Sequence, residues 1–351
     1  MTKAELMGMG RNEMEGLFVA GGEPRYRGRQ LYRAVYRERR FDLSRITAFP
    51  KVLRQRLAEQ WQATLPEVES AFQSADGTVR YLLRLADGKQ IESVYMPEEK
   101  RKTLCISTQA GCPLDCQFCL TGVLGFTRNL SAGEIVGQVL RLFEENRWPA
   151  GEAVNLVFMG MGEPLLNYDN VLAAVRLLAD PDGIGISPQR MTLSTAGVVA
   201  GIERLGKEAV RPKLAVSLNA STDATRNRIM PINRKWPIAE LLRACREFPL
   251  RPREKLTFEY VLLDGVNDSM DDARRLARLV KPLRCKVNLI GLNPGPELPF
   301  QTPPDRTVLA FQQVLREAGV PAFIRKPRGR DIYAACGQLR LAQEPAGIGG
   351  R

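Results

Sequence analysis

Histidine is absent from the 351-residue chain. That excludes a Ser–His or Cys–His nucleophilic dyad, a His-ligated zinc deaminase site and an imidazole proton shuttle. Long apolar runs are absent too, and none reaches the length that spans a bilayer. The first residues, MTKAELMGMGRNEMEGLF, interleave charge with apolar positions and contain no uninterrupted signal core. A cytoplasmic location without a membrane partner is therefore expected. No internal repeat or low-complexity segment stands out. Any chemistry must come from carboxylates, cysteines or a cofactor.

Hydrophobic residues make up 44% and charged residues 26%, a globular composition. The length suits one barrel-sized catalytic domain with a small accessory one. The net charge is +12. Such an excess attracts phosphate backbones, but charge alone does not separate a nucleic-acid partner from a solvated basic surface. The seven cysteines are 105, 112, 116, 119, 245, 285 and 336. In a cytosolic chain, clustered cysteines read as metal ligands or redox groups rather than structural disulfides.

Along the chain, RGRQLYRAVYRERR and FPKVLRQRLAEQWQATL carry apolar positions at helical spacing with dense arginine between them. Residues 1–70 are therefore expected to form a helical accessory domain. Residues 71–98 alternate and carry turn signals at Asp76-Gly77 and Asp87-Gly88, which predicts a short β-meander. From there to 341, the runs TLCIS, VNLVFMG, MTLST, KLAVSLN, LTFEYVLL, KVNLIGL and AFIRK alternate with amphipathic segments such as SAGEIVGQVLRLFEEN and DDARRLARLVKPL. Strand–helix alternation of this kind predicts an α/β fold, a partial (β/α)6 barrel over 99–341. The tail, 342–351, is expected to be disordered.

In Cys112-Pro-Leu-Asp-Cys116-Gln-Phe-Cys119, three thiolates lie close enough in sequence to converge on one iron–sulfur cluster. A closed zinc site or ferredoxin cluster wants four protein ligands, and here only three are local. The pattern resembles the radical-SAM motif, in which the open iron of a 4Fe–4S cluster chelates S-adenosylmethionine. A zinc site completed by a distant cysteine is the alternative. Gly160-Met161-Gly162-Glu163-Pro164 follows a strand, where glycines let a ligand approach the backbone and Glu163 can meet an ammonium group. Ser194, Ser217, Asn219 and Asn293 also fall at strand C-termini, where a barrel builds its site. Each alone is an ordinary cap or turn residue. Cys105 and Cys336 are candidates for a redox pair, or for inert buried thiols. Cys245 and Cys285 read as packing residues.

The segments TLCISTQAGCPLDCQFCLTG, GFTRNLSAGEIVGQV, MGMGEPLLNYDNV, STAGVV and RGRDIYAACGQL resemble the radical-SAM RNA methyltransferases that act on C2 of adenosine in 23S rRNA and in tRNA. The resemblance runs from about Arg25 to Leu339. It implies that Cys112, Cys116 and Cys119 ligate one 4Fe–4S cluster per chain. It assigns Gly162, Glu163, Ser194, Ser217, Leu218, Asn219 and Asn293 to S-adenosylmethionine, of which two are consumed per methylation. It makes Cys336 the methyl carrier, Cys105 its resolving partner and Glu92 the proton acceptor. One departure is Asn219, where the family commonly has histidine. Asparagine still donates and accepts hydrogen bonds but cannot become a cation.

The implied chemistry suits an adenine C2 carbon, which is not nucleophilic and so demands a radical route. An external electron donor or thiol reductant would reset the cysteine pair, and the chain would work as a monomer. The near alternative is an adenine-C8 methyltransferase of the antibiotic-resistance type. Alternatives from other classes are a glycyl-radical activase and a non-catalytic iron–sulfur RNA-binding protein. The activase leaves Cys336 without a role. The binding protein predicts no cleavage of S-adenosylmethionine.

Overall fold

In a computed structural model, residues 3–341 are described except 100, 150, 296 and 297. The tail 342–351, expected to be disordered, lies outside the described residues. The chain is built on one ten-stranded sheet in which every strand pairs with its neighbours in sequence. Seven strands run parallel: Arg101–Cys105, Asn155–Phe158, Met191–Thr195, Lys213–Ser217, Leu256–Leu262, Cys285–Gly291 and Ala322–Ile324. Helices fill the crossovers, giving six strand–helix units capped by a short last strand. One face of these strands is apolar and packs under the helices, as with Leu256, Phe258, Tyr260 and Leu262, while the alternate face carries polar residues such as Ser194, Ser217, Glu259 and Asn288.

The predicted meander forms as Glu67–Gln73, Val79–Arg84 and Gln90–Glu98. It begins earlier than the alternation indicated. It is also no separate appendage: Val94 pairs antiparallel with Cys105, so the meander extends the barrel sheet. Val94, Glu92 and Arg80 thus share a face with Cys105, since paired residues and i±2 neighbours project to one side.

The N-terminal helices Arg11–Ala20, Tyr26–Tyr32 and Lys51–Gln60 appear as helical patterning requires, and Arg33–Arg37 continues the second as a π-helical turn. They pack against the barrel's flank. The Tyr32 hydroxyl donates to Asp180 (3.0 Å), Arg11 pairs with Asp182 (2.7 Å), and Arg39 donates to the Trp148 carbonyl (2.7 Å) while stacking on Phe143. In the first barrel helix, Ala132–Glu145, Ser131 and Glu134 form a reciprocal capping box. No helix among the described residues is long and apolar enough to cross a membrane.

Candidate active site

The three clustered cysteines occupy the loop between Gln109–Gly111 and the short helix Leu120–Val123, just beyond the first parallel strand. The loop is folded on itself: Cys116 N donates to Leu114 O (2.9 Å) and Cys119 N to Cys116 O (3.0 Å). It is also stitched outward, with Cys112 N donating to Gly125 O and Gln117 N to Ile229 O. Phe118 and Leu120 pack with Ala196, Ala220, Ile229, Met230, Leu263 and Leu292 in an apolar satellite core, against which Cys116 also lies.

These residues fit a cluster. The thiols of Cys112, Cys116 and Cys119 lie within electrostatic reach of one another. Burial pushes Cys112 up to about 12 and raises Cys116 well above the ordinary thiol range. Neither is a thiolate at neutral pH unless a metal displaces its proton, which coordination does outright. An all-sulfur donor set in a dry apolar wall suits iron–sulfur ligation.

Glu163 is buried, and both its oxygens are engaged: Oε1 accepts from Leu165 N (3.0 Å) and Oε2 from Ala196 N (2.7 Å). Burial pushes its carboxyl up to about 7, against the pull of those two N–H groups. The close approach at its neighbour is made by the chain itself. Gly162 has φ +101°, and a Cβ there would stand 2.6 Å from Cβ of Gln109, whose Oε1 accepts from Glu163 N (2.8 Å). Gln109 reads as an ordinary polar residue in the sequence, yet it is the strut under this loop.

Ser194 and Ser217 end adjacent parallel strands and are half-buried. Leu218 is fully buried and donates its N–H to Glu259 O (3.0 Å). Asn219 sits at φ +54°, a left-handed conformation that asparagine tolerates better than most residues. Its Oδ1 accepts from Val261 N (2.8 Å), and its carbonyl accepts from Asn267 Nδ2 (2.7 Å). The side chain where the family commonly has histidine therefore ties two strand ends together.

Cys336 is exposed in the barrel mouth, on a segment returning from the last strand. Asn293 Nδ2 donates to its carbonyl (3.1 Å), and Leu120 N, next to Cys119, donates to Gly337 O (2.8 Å). Desolvation in this concave mouth raises the Cys336 thiol; Glu259 adds to the rise and Arg325 opposes it. Cys105 is buried at the end of its strand. Burial pushes its thiol well above the ordinary range, and the nearby Cys336 raises it further. Cys336 is thus in electrostatic reach of both Cys105 and Cys119.

Glu92 is fully buried in an ion pair with Arg80, itself fully buried and stacked on Phe72. It also accepts from Leu341 N (3.2 Å). Burial raises its carboxyl despite the guanidinium. Cys245 and Cys285, read as packing residues, are both buried away from this cluster of groups, on a helix and at a strand start.

A mostly parallel barrel sheet with three thiols in the loop after its first parallel strand defines a radical-SAM enzyme. Residues 106–277 match the Radical SAM superfamily, which brings with it a 4Fe–4S cluster and S-adenosylmethionine. Residues 4–62 match the ribosomal RNA large subunit methyltransferase N-terminal domain. The chain is 53% identical over 339 residues to a probable dual-specificity RNA methyltransferase RlmN of Koribacter versatilis, covering 92% of this chain and 97% of that one. It is 49% identical over 347 residues to the dual-specificity RNA methyltransferase RlmN of Anaeromyxobacter dehalogenans, covering 97% and 93%. A crystal structure of a radical SAM methyltransferase from Sphaerobacter thermophilus superposes with a TM-score of 0.92 at 45% identity, covering 97% of this chain and all of that one. The chain belongs to the RlmN family of radical-SAM RNA methyltransferases.

Proposed function

We propose that this protein methylates C2 of adenosine in 23S rRNA, at the peptidyl-transferase centre, and in tRNA, next to the anticodon. The observation that carries the reading is the placement of Cys336 within reach of both Cys105 and the cluster loop. The adenine-C8 alternative is not favoured, since the relatives are named as dual-specificity RlmN enzymes.

Cys112, Cys116 and Cys119 would hold one cluster, and Gly162, Glu163, Ser194, Ser217, Leu218, Asn219 and Asn293 would line the S-adenosylmethionine site. When bound, cluster and cofactor supply a methyl group and a hydrogen-abstracting radical, with two S-adenosylmethionine molecules consumed per methylation. The chain's residues do the rest. Cys336 carries the methyl carbon on its sulfur and presents it at the mouth. Once that carbon is bonded to adenine C2, Glu92 takes the C2 proton, and the one electron released as the ring regains its aromaticity would pass back to the bound cluster. Cys105 then attacks the Cys336 sulfur. A disulfide forms, the carbon–sulfur bond breaks, and the carbon keeps the electron pair and gains a proton. An external two-electron thiol reductant resets the pair. The N-terminal 1–70 region, with its arginines, would grip the RNA backbone while one adenine is extruded into the barrel 99–341, and the meander 71–98 supplies Glu92. Work as a cytoplasmic monomer completes the reading.

The test is mass analysis of RNA digested after turnover. The expected product is 2-methyladenosine; 8-methyladenosine would overturn the assignment. C336A is expected to abolish product while keeping the iron–sulfur absorbance, whereas loss of the cluster would make Cys336 a ligand. C105A is expected to accumulate a covalent protein–RNA adduct.

A further inference from the structure

Arg226 lies on the short helix Asp223–Ile229. Its guanidinium is fully buried. Nε donates to Leu218 O (2.9 Å), Nη1 to Asn233 Oδ1 (3.0 Å), and Nη2 to Ala196 O (2.6 Å) and Ser217 O (3.1 Å). Gly197 leaves the space for it: at φ +107°, a Cβ there would stand 3.3 Å from Nη2.

All of these acceptors are neutral. The other deeply buried arginines each face a carboxylate, Arg80 with Glu92 and Arg211 with Glu254. Arg226 forms no ion pair with a carboxylate among the described residues. Asp223, on its own helix, is occupied by Asn233 Nδ2 (2.9 Å) and Ile238 N (2.9 Å). A buried charge without a counter-charge is costly. As the thiolate that a cluster would make it, Cys116 acts on Arg226 ahead of Asp223, and Gln117 N binds the cysteine loop to Ile229 at the end of the same helix (3.0 Å). Cys116 and Ile229 also share the apolar satellite core, where dielectric screening is weak.

We propose that Arg226 is the internal counter-charge of the iron–sulfur cluster, a positioning residue that raises the cluster's reduction potential and locks the strand ends beside it. The inference rests on the radical-SAM reading of Cys112, Cys116 and Cys119. Reduction adds one electron from the outside donor, with no bond made or broken. A fixed positive charge nearby stabilises the more negative reduced state. The same guanidinium gathers the carbonyls of Ala196, Ser217 and Leu218, so the charge and the edge of the cofactor site are held by one group.

The test is a potentiometric titration of the reconstituted full chain, read by electron paramagnetic resonance. Wild type is compared with R226M, R226Q and R226K. The neutral variants are expected to assemble a cluster with a more negative midpoint, and R226K to stay near wild type. A fully loaded R226M or R226Q protein with the wild-type midpoint overturns the inference. Should both neutral variants fail to load, R226K decides: loading with a near-native midpoint supports the charge role, and an empty lysine protein overturns it. A wild-type chain that gives no reduced-cluster signal sinks the radical-SAM reading instead, and that result is distinct from an unchanged midpoint.

Discussion

Cys105 faces a demand that its surroundings oppose. In its proposed role it must become a thiolate to attack Cys336, yet burial pushes its thiol well above the ordinary range, with Cys336 contributing less. Once Cys336 carries a carbon substituent its charge influence disappears, but the larger cause, burial, remains. The attacking fraction is then small at neutral pH and grows about tenfold per pH unit below the thiol's own value. Resolution of the protein–RNA adduct is therefore expected to accelerate by roughly that factor per unit between pH 7 and 9. Rapid quenching followed by gel analysis of the adduct checks this. A flat profile would show that a neighbouring group takes the Cys105 proton within the adduct. At this scale the clustered cysteines were legible because three thiols at this close spacing have few uses other than metal ligation. Gln109 and Arg226 were not. A polar residue reveals its role only when the fold closes over it, and single-sequence spacing says nothing about which charges become buried.

The returning segment 325–341 is tied to the meander as well as to the barrel. Asp331 accepts from Ser74 Oγ (2.6 Å) and Ala75 N (3.4 Å), Gly329 N donates to Asp76 (3.2 Å), and Arg328 donates to Pro97 O (2.6 Å). Leu341 N closes over Glu92. The proposed proton acceptor and the proposed methyl-carrying cysteine are thus held by one strap. D331A removes a charge-assisted bond worth about 1.5–3 kcal/mol. It is expected to raise trypsin cleavage after Arg328 and Arg330 by about ten- to a hundredfold, since each 1.4 kcal/mol of opening energy is about a factor of ten. Cleavage at wild-type rates would show the strap to be held elsewhere. The barrel strands were readable because apolar β-branched runs between helical patterns have one economical arrangement. The strap was not. Residues 325–341 contain little regular structure, so their path depends on contacts with the turn at 74–78, some 250 residues earlier. The meander's union with the barrel sheet was hidden for the same reason: strand pairing between Val94 and Cys105 leaves no local periodicity.

For the whole molecule, the +12 charge acquires a place. Two open clefts of about 530 and 580 Å³ adjoin on the N-terminal helices, sharing Ser44 and Arg54. Arg40, Arg45, Lys3 and Lys51 line them together with the partly covered Phe41, and outnumber the carboxylates of Asp42 and Glu59. Basic side chains around an accessible ring form the kind of surface that tracks a phosphate backbone and stacks on an unpaired base. Arg45 and Lys51 are exposed, and neither supports the barrel. Reversing both, as R45E with K51E, is expected to weaken binding of an rRNA or tRNA fragment. It should also flatten the dependence of log affinity on log salt by about 1.4–1.8, because each cation that neutralises a phosphate contributes about 0.7 on a single strand and about 0.9 on a duplex. Iron–sulfur absorbance and RNA-free cleavage of S-adenosylmethionine should stay at wild-type levels, because the clefts lie on the accessory helices and the cysteines at the barrel mouth. Binding titrations over a salt series measure both quantities. A double variant that binds as tightly, with an unchanged slope, would move the RNA surface away from these helices. A variant that loses the cluster as well would mean that the helices support the barrel fold itself, and that their arginines are not a separable grip on the substrate.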